Sequence, residues 1–232
     1  MANMNAIIIG ASETFGFFAA KDLLHQGFHV TINARNEEKL SSMKADLAKE
    51  GYIEFVAGDI SQEYTLKTIR DHYKESKINA LIMGLGGYAP DNISDPKGIM
   101  KMFEDNVMRP FTTLSKFIDL MATPSSVVFM SSVYSVSIVS ENSLSYSGSK
   151  AALNRMVASA AKSLLKNRIR VNAVVTTSMD DKSHSERNIY FNPGKQSIDP
   201  ELVAMVVGFL AGERSLGITG SVIVVDQGFS LR

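Results

Sequence analysis

A doubly wound α/β fold, seven parallel strands in one sheet with helices on both faces, is what this sequence predicts. Three observations carry it. Short apolar, β-branched runs alternate with helix-like stretches from one end of the 232 residues to the other. The runs have the length and composition of strands covered on both faces. No linker, repeat or low-complexity block divides the chain, so it reads as right-handed strand-helix-strand crossovers in a single domain over 1–232.

Taken in order, Ala6-Ile7-Ile8-Ile9 is the first strand, Gly10-Ala11-Ser12 breaks it, and a helix is expected over 14–26. His29-Val30-Thr31-Ile32 precedes a charged amphipathic helix over 37–49. Ile53-Glu54-Phe55-Val56 ends at Gly58-Asp59 and leads to a helix over 66–73. Ala80-Leu81-Ile82-Met83 runs into Gly84-Leu85-Gly86-Gly87, and one long helix is expected over 100–120, bent by Pro110. The fifth strand, 126–130, is followed by a helix over 146–165, the sixth strand over 169–175, a helix over 201–210 and the last strand over 222–225. The polar segment 176–200 is long for a connection in a compact domain, which makes it the expected place of substrate contact; Met179, Ile189, Tyr190 and Phe191 would give it an apolar wall.

Composition excludes several functions. Lys plus Arg equals Asp plus Glu at 24 each, so no basic field points to nucleic acid or an anionic membrane. There are no cysteines, which removes disulfides, thiolate metal sites and a Cys nucleophile. His25, His29, His72 and His184 show no ligand spacing, and no metal is expected. The first residues lack a basic n-region, and no apolar run approaches the ~20 residues that span a bilayer, so a cytoplasmic protein is expected.

The chemistry is expected between Ser131 and Lys150. Ser132 closes the fifth strand, and strand ends are where α/β folds place their reactive groups. Tyr146 and Lys150 are four apart, so on a helix they share a face, and a neighbouring ammonium would favour the phenolate. That makes Tyr146 a candidate proton donor.

A second signal is the turn Gly10-Ala11-Ser12-Glu13-Thr14-Phe15-Gly16, placed between a strand and a helix. A glycine-rich turn there lets backbone N–H groups approach a pyrophosphate, although Thr14 stands where a middle glycine is expected. At the end of the second strand Arg35 replaces the acidic residue that would hold ribose hydroxyls, and an arginine can pair with a 2′-phosphate. NADP is therefore expected over NAD, with Glu13 as a source of repulsion.

Together these residues resemble the short-chain dehydrogenase/reductase family, in its classical branch, over essentially the whole chain, and are similar to its 3-oxoacyl-acyl-carrier-protein reductase-like members. The motifs are the Gly10 to Gly16 turn, Asp59, Asn106-Val107, Ser132, Tyr146-x3-Lys150, Arg170-Val171-Asn172-Ala173 and Ile218-Thr219-Gly220-x5-Asp226. The resemblance implies a Rossmann-type fold and a reaction between a carbonyl and an alcohol. Ser132 would bind the carbonyl, Tyr146 exchange its proton, Lys150 hold the nicotinamide ribose and lower the tyrosine pKa, and Asn106 anchor a relay water. The implied cofactor cleft comprises Gly10, Ser12, Thr14, Phe15, Gly16, Arg35, Asp59, Ile60, Gly84, Gly86, Tyr146, Lys150, Thr176 and Thr177. Homotetramers or homodimers are implied as well.

The departures are Thr14, Met83-Gly84-Leu85-Gly86 for Asn-Asn-Ala-Gly, Thr176-Thr177 for Pro-Gly, and Gln227 for Gly. The second removes side-chain amides that would brace the central strands. Two readings follow: an NADP(H)-dependent oxidoreductase of ketones, aldehydes or 3-oxoacyl groups, or a non-catalytic dinucleotide sensor with the same fold. The intact Asn106, Ser132, Tyr146 and Lys150 favour the enzyme.

Overall fold

The computed structural model describes residues 4–180 and 191–231. The chain lays down β1 (Met4–Ile9), β2 (Phe28–Ala34) and β3 (Ile53–Ala57) outward in one direction. It then crosses back over β1 to continue with β4 (Ile78–Met83), β5 (Met121–Ser132) and β6 (Ile169–Thr176). A small parallel pair, β7 (Ser178–Met179) and β8 (Ser197–Ile198), interrupts the order before β9 (Val222–Val225) completes the sheet. The seven-stranded order is β3-β2-β1-β4-β5-β6-β9, with every pairing parallel. Crossovers part in opposite directions between β1 and β4, and such a switch point opens a crevice at the C-terminal ends of the strands.

The period of two in β1 divides the core. Ile8, in register with Ile32 and Ile82, faces α1 (Phe15–His25) and α7 (Pro200–Ala211) through Phe18, Leu23, Val203 and Val207. Ile7 and Ile9 face the other layer, where Phe117 and the inward face of α6 (Leu144–Leu164), Leu153 and Val157, lie. All three isoleucines are fully buried, which is why the strand reads as an unbroken apolar run. Of the two helices between β2 and β4, α2 (Glu37–Leu47) starts at Asn36, whose Oδ1 accepts the Lys39 N–H at 3.0 Å; α3 (Glu63–His72) follows β3.

Two expectations need correction. The helix expected over 100–120 is three pieces: α4 (Ile99–Phe103), a wide π turn at Glu104–Met108, and α5 (Arg109–Ser115). Pro110 follows the wide turn directly, with right-handed helical backbone on both sides, so the N–H it lacks is one that would have bonded back into that turn. The wide turn also carries Asn106, whose side chain is bonded to other segments. The segment 176–200 is also more ordered than a plain loop, since β7 and β8 pair and the Asp180 N–H donates to Ile198 O at 2.9 Å. Ile189 and Tyr190 lie outside the described residues.

The altered turns are accommodated by backbone. Gly84 N–H donates to Ile9 O at 2.8 Å, and Gly10, at φ +80°, lies so close that a Cβ on either glycine would fall 2.9 Å from the backbone of the other. No side-chain amide after β4 is needed, because the amide that braces this region is on β2. Asn33, buried, donates from Nδ2 to Val56 O (2.8 Å) and Gly58 O (3.2 Å), while its own carbonyl accepts from Gly10 and Ala11 N–H at 2.9 Å. Thr14 has φ −84°, outside the left-handed region, so it brings no left-handed strain into the turn.

Gly84→Ala is expected to lower stability by roughly 1–3 kcal/mol through this backbone clash. Gly148→Ala, in α6 with nothing within 4 Å of its added Cβ, is expected to raise it by about 0.5–1 kcal/mol. Urea unfolding midpoints of the two variants check both signs.

Candidate active site

The catalytic stretch is assembled at the C-terminal edge of the sheet. Ser132 ends β5, and a short 3-10 turn at Val133–Ser135 takes the chain away at once, leaving the serine side chain facing the crevice. Its Oγ accepts the Tyr134 N–H at 3.4 Å, and it lines the same lobe as the Tyr146 phenol, whose ionised form it favours. Tyr146 and Lys150 lie in the first two turns of α6. That helix start is clamped from outside by the buried Asp91, whose carboxylate accepts the Ser145 N–H (3.0 Å), the Ser145 hydroxyl and the Gly98 N–H (3.1 Å). The Ser145 hydroxyl, then its N–H, holds the Asp91 carboxyl below its usual range. The loop after β4 and the turn bearing Tyr146 are thereby one unit.

Lys150 is 5% exposed and donates from Nζ to Met130 O at 3.0 Å; no hydrogen bond joins it to Tyr146. Burial pushes its pKa down to about 8. Tyr146 goes the other way: burial pushes the phenol above its ordinary value, Ser132 offsets part of that, and Tyr134 and Tyr88 add to the rise. Desolvation dominates the phenol's shift, and Lys150 is not among the groups that set it. The rings of Tyr88 and Tyr134 stand edge-to-face against Tyr146, with centroids at 5.1 and 6.0 Å.

Asn106 is fully buried. Its Oδ1 accepts the Gly87 N–H at 2.9 Å, and its Nδ2 donates to Gly87 O and Ser149 Oγ, both at 3.1 Å. Gly86 is pressed between this amide and the lysine: a Cβ there would fall 2.9 Å from Asn106 Oδ1 and 3.1 Å from Lys150 Nζ. The wide turn, the loop after β4 and α6 therefore meet at one point.

Around these groups runs a two-lobed groove. One lobe, about 210 Å³, is lined by Asn33, Arg35, Gly58, Asp59, Ile60, Leu85, Gly86 and Arg109. The other, about 460 Å³, is lined by Ser12, Phe15, Tyr88, Ser132, Tyr134, Tyr146, Lys150, Thr176, Thr177 and Met179. They meet at Gly10 and Gly84, which line both. Gly16 lies outside the lining and serves it from behind: a Cβ there would fall 2.7 Å from Ala11 Cα, so only glycine lets α1 pack against the turn. Thr176 and Thr177 direct their hydroxyls to Val225 O and Gln196 O, anchoring the second lobe's far wall. Phe191 is 73% exposed and outside this wall.

Next to the first lobe a further hollow holds Glu13, Thr14, Arg35, Asn36 and Lys39. Glu13 is ion-paired with Lys39, so its charge is neutralised locally and the expected repulsion is relieved. Among the described residues Arg35 has no ion-pair partner. In the first lobe the Ser61 hydroxyl and N–H hold the Asp59 carboxyl below its usual range against burial, with smaller help from Arg109 and then Arg35.

The sequence-predicted residues thus gather in one groove, apart from Thr14, which lines only the adjoining hollow, and Asn106 and Gly16, which support the groove from behind. Sequence reasoning missed Tyr88, Asp91, Tyr134 and Arg109. Tyr134 and Arg109 stand two and three residues beyond Ser132 and Asn106, so strand and helix geometry around those anchors was the available signal. Asp91 had none, because the helix start it holds, at Ser145, is 54 residues away.

The family model described as Enoyl-(Acyl carrier protein) reductase matches residues 10–230. A short-chain dehydrogenase/reductase from Serratia marcescens superposes with a TM-score of 0.87 at 19% identity, covering 98% of both chains. The chain belongs to the short-chain dehydrogenase/reductase family. Among curated short-chain dehydrogenase/reductase relatives, glucose 1-dehydrogenase of Gluconobacter oxydans is 27% identical, covering 99% of this chain and 93% of that protein. The rhamnolipids biosynthesis 3-oxoacyl-[acyl-carrier-protein] reductase of Pseudomonas aeruginosa is 26% identical over 100% of this chain and 98% of that one. The family implies a nicotinamide dinucleotide. The groove fits one: it has two lobes, and the bridge between them is glycine backbone, with no side chain to obstruct a pyrophosphate.

Lys150 gives a pH test. Between its folded pKa of about 8 and the ordinary 10.5 the unfolded chain holds the proton and the folded chain does not, so its contribution to stability rises with pH through that window. Lys150→Met is expected to gain stability relative to wild type below pH 8, and the gap should narrow by up to about 3 kcal/mol towards pH 10.5. Denaturant titrations at stepped pH measure it; a gap independent of pH would contradict the lowered pKa.

Proposed function

We propose that this chain is an NADP(H)-dependent oxidoreductase that interconverts a ketone or aldehyde, 3-oxoacyl compounds included, and an alcohol. The observation that carries the proposal is that the Ser132 and Tyr146 side chains line the same lobe, with Lys150 and Asn106 packed behind them. A carbonyl oxygen seated between the two hydroxyls receives two O–H donors where negative charge develops during reduction. A bound nicotinamide would supply the hydride. Tyr146 gives its proton to the oxygen as the alcohol forms, and takes it back in oxidation. A raised phenol pKa keeps that proton in place at neutral pH until charge develops on the substrate. Lys150 is mostly protonated at pH 7 with a pKa of about 8, and its cation opposes the cost of a transient phenolate on the neighbouring turn. Asn106 fixes the wide turn and the loop after β4, so the lysine enclosure keeps its shape.

NADP is preferred because Arg35 faces both the first lobe and the adjoining hollow, and Glu13 is neutralised by Lys39. The relatives' names, a glucose dehydrogenase and a 3-oxoacyl reductase, support carbonyl and alcohol chemistry and leave the substrate's skeleton open. Assembly as a homotetramer or homodimer belongs to the same proposal; the exposed Met100, Met108 and Met156 on the α4, wide-turn and α6 surfaces support it.

Tyr146→Phe is expected to reduce turnover roughly 10²- to 10⁴-fold or more with NADPH affinity unchanged. Steady-state rates with a ketone panel, set beside calorimetric titration, check this; undiminished turnover removes Tyr146 as the proton donor. Arg35→Ala is expected to weaken NADPH about 10- to 100-fold while sparing NADH. Equal losses for the two would end the argument for NADP.

A further inference from the structure

Arg109 faces the nucleotide lobe without being part of any motif that marks it. It opens α5 directly after the wide turn, on the same side of the groove as Asp59, Ile60 and Leu85. It takes no part in the adjoining hollow, where Arg35, Asn36 and Lys39 stand. Arg35 is thus shared between the lobe and the hollow, whereas Arg109 belongs to the lobe alone.

The guanidinium is held in place. Its Nη2 is 3.3 Å from Asp105 Oδ1, and Asp105 is itself 10% exposed and gripped by Lys101 at 2.7 Å. A surface pair of this i, i+4 kind normally leaves both partners in water and contributes little. Here the carboxylate already has a cation, and the Arg109 Nε is shut away from water with no hydrogen-bond partner. An ordinary helix pair does not require that arrangement. What it provides is a fixed, planar cation forming one wall of a slot whose other surfaces are the apolar Ile60 and Leu85 and the Asp59 carboxylate.

We propose that Arg109 is an adenine clamp: its guanidinium lies against the base of the dinucleotide, so it contributes affinity whether or not a 2′-phosphate is present. The chemistry is that of a weakly hydrated planar cation on an aromatic face, a role for which lysine is a poor substitute. This division of labour rests on the proposed dinucleotide reading. Arg35 reads the 2′ position, and Arg109 reads the base.

The test is calorimetric titration of the purified chain and of R109A, R109K and R35A with NADPH and with NADH, alongside thermal melts of each variant. R109A is expected to weaken both dinucleotides by a similar factor, roughly 5- to 30-fold, with R109K recovering less than half of the loss. R35A should affect NADPH alone. R109K keeps the ion pair with Asp105, so a shared loss in R109K with an unchanged melting temperature separates base contact from helix packing. Affinities within twofold of wild type in R109A overturn the clamp, and a loss confined to NADPH overturns it in favour of a phosphate ligand. Wild type binding neither dinucleotide overturns the underlying reading and this one together, an outcome distinct from wild type binding both and R109A matching it.

Discussion

The structure depends on two strand ends that meet without side chains between them. β1 and β4 are neighbours in the sheet but their following connections part in opposite directions, and at the parting Gly10 and Gly84 touch backbone to backbone. A methyl group on either would push the first turn away from the loop after β4. That displacement would spread in both directions, since Gly84 is bonded to Ile9 and Gly10 to Asn33, and Asn33 in turn ties β2 to the end of β3. The close approach holds the two lobes in one groove. It also explains how the chain dispenses with the amide-bearing tetrapeptide of its family at 83–86: backbone contact replaces side-chain bracing, and the remaining brace stands two strands over, on β2.

Around that junction the chain buries polar groups that contribute poorly to stability on their own. A lysine, an asparagine and a tyrosine stand within or behind the second lobe, each with its hydrogen bonds directed by the fold, and burial moves the lysine and tyrosine in opposite directions. An amine with a lowered pKa and a phenol with a raised one stand further apart in proton affinity than the free side chains do, so at neutral pH the phenol holds its proton firmly while the amine is nearer to giving one up. The arrangement is maintained from outside the groove. Asp91 holds the start of α6 and Asn106 holds the wide turn, so neither reacting group has to position itself.

The fold was legible because the central strands are buried apolar runs bounded by glycine or polar residues, and strand-helix alternation leaves few topologies. Ser132, Tyr146 and Lys150 were legible for a related reason: a strand end and a helical spacing of four fix where side chains go. What the sequence concealed were contacts without local periodicity. Asp91 acts across 54 residues, and the electrostatics of Tyr146 depend on Tyr88, brought from a different loop. Pro110 marked a disturbance in the 100–120 helix, but its form, a wide turn that carries Asn106 to Gly87 and Ser149, is tertiary and had no local sign. Thr14 stands where a glycine is usual, and its negative φ shows that no left-handed conformation is required of it.

A wide turn is an α-helix carrying one residue too many, and at about 100° of rotation per residue that surplus shifts the helical phase on its two sides. In this chain Met102 and Asn106 are directed inward beneath Gly87, whereas Arg109 comes round to the nucleotide lobe. A uniform helix could satisfy one of these placements, not both. The length of the segment between Met102 and Arg109 is therefore as much a part of its specification as the residues in it. Loss of a single residue there would restore regular helical geometry while separating the two halves of the groove from the side chains that serve them. For this stretch of the chain, insertions and deletions are the severe class of change, and substitutions on its outward face the mild one.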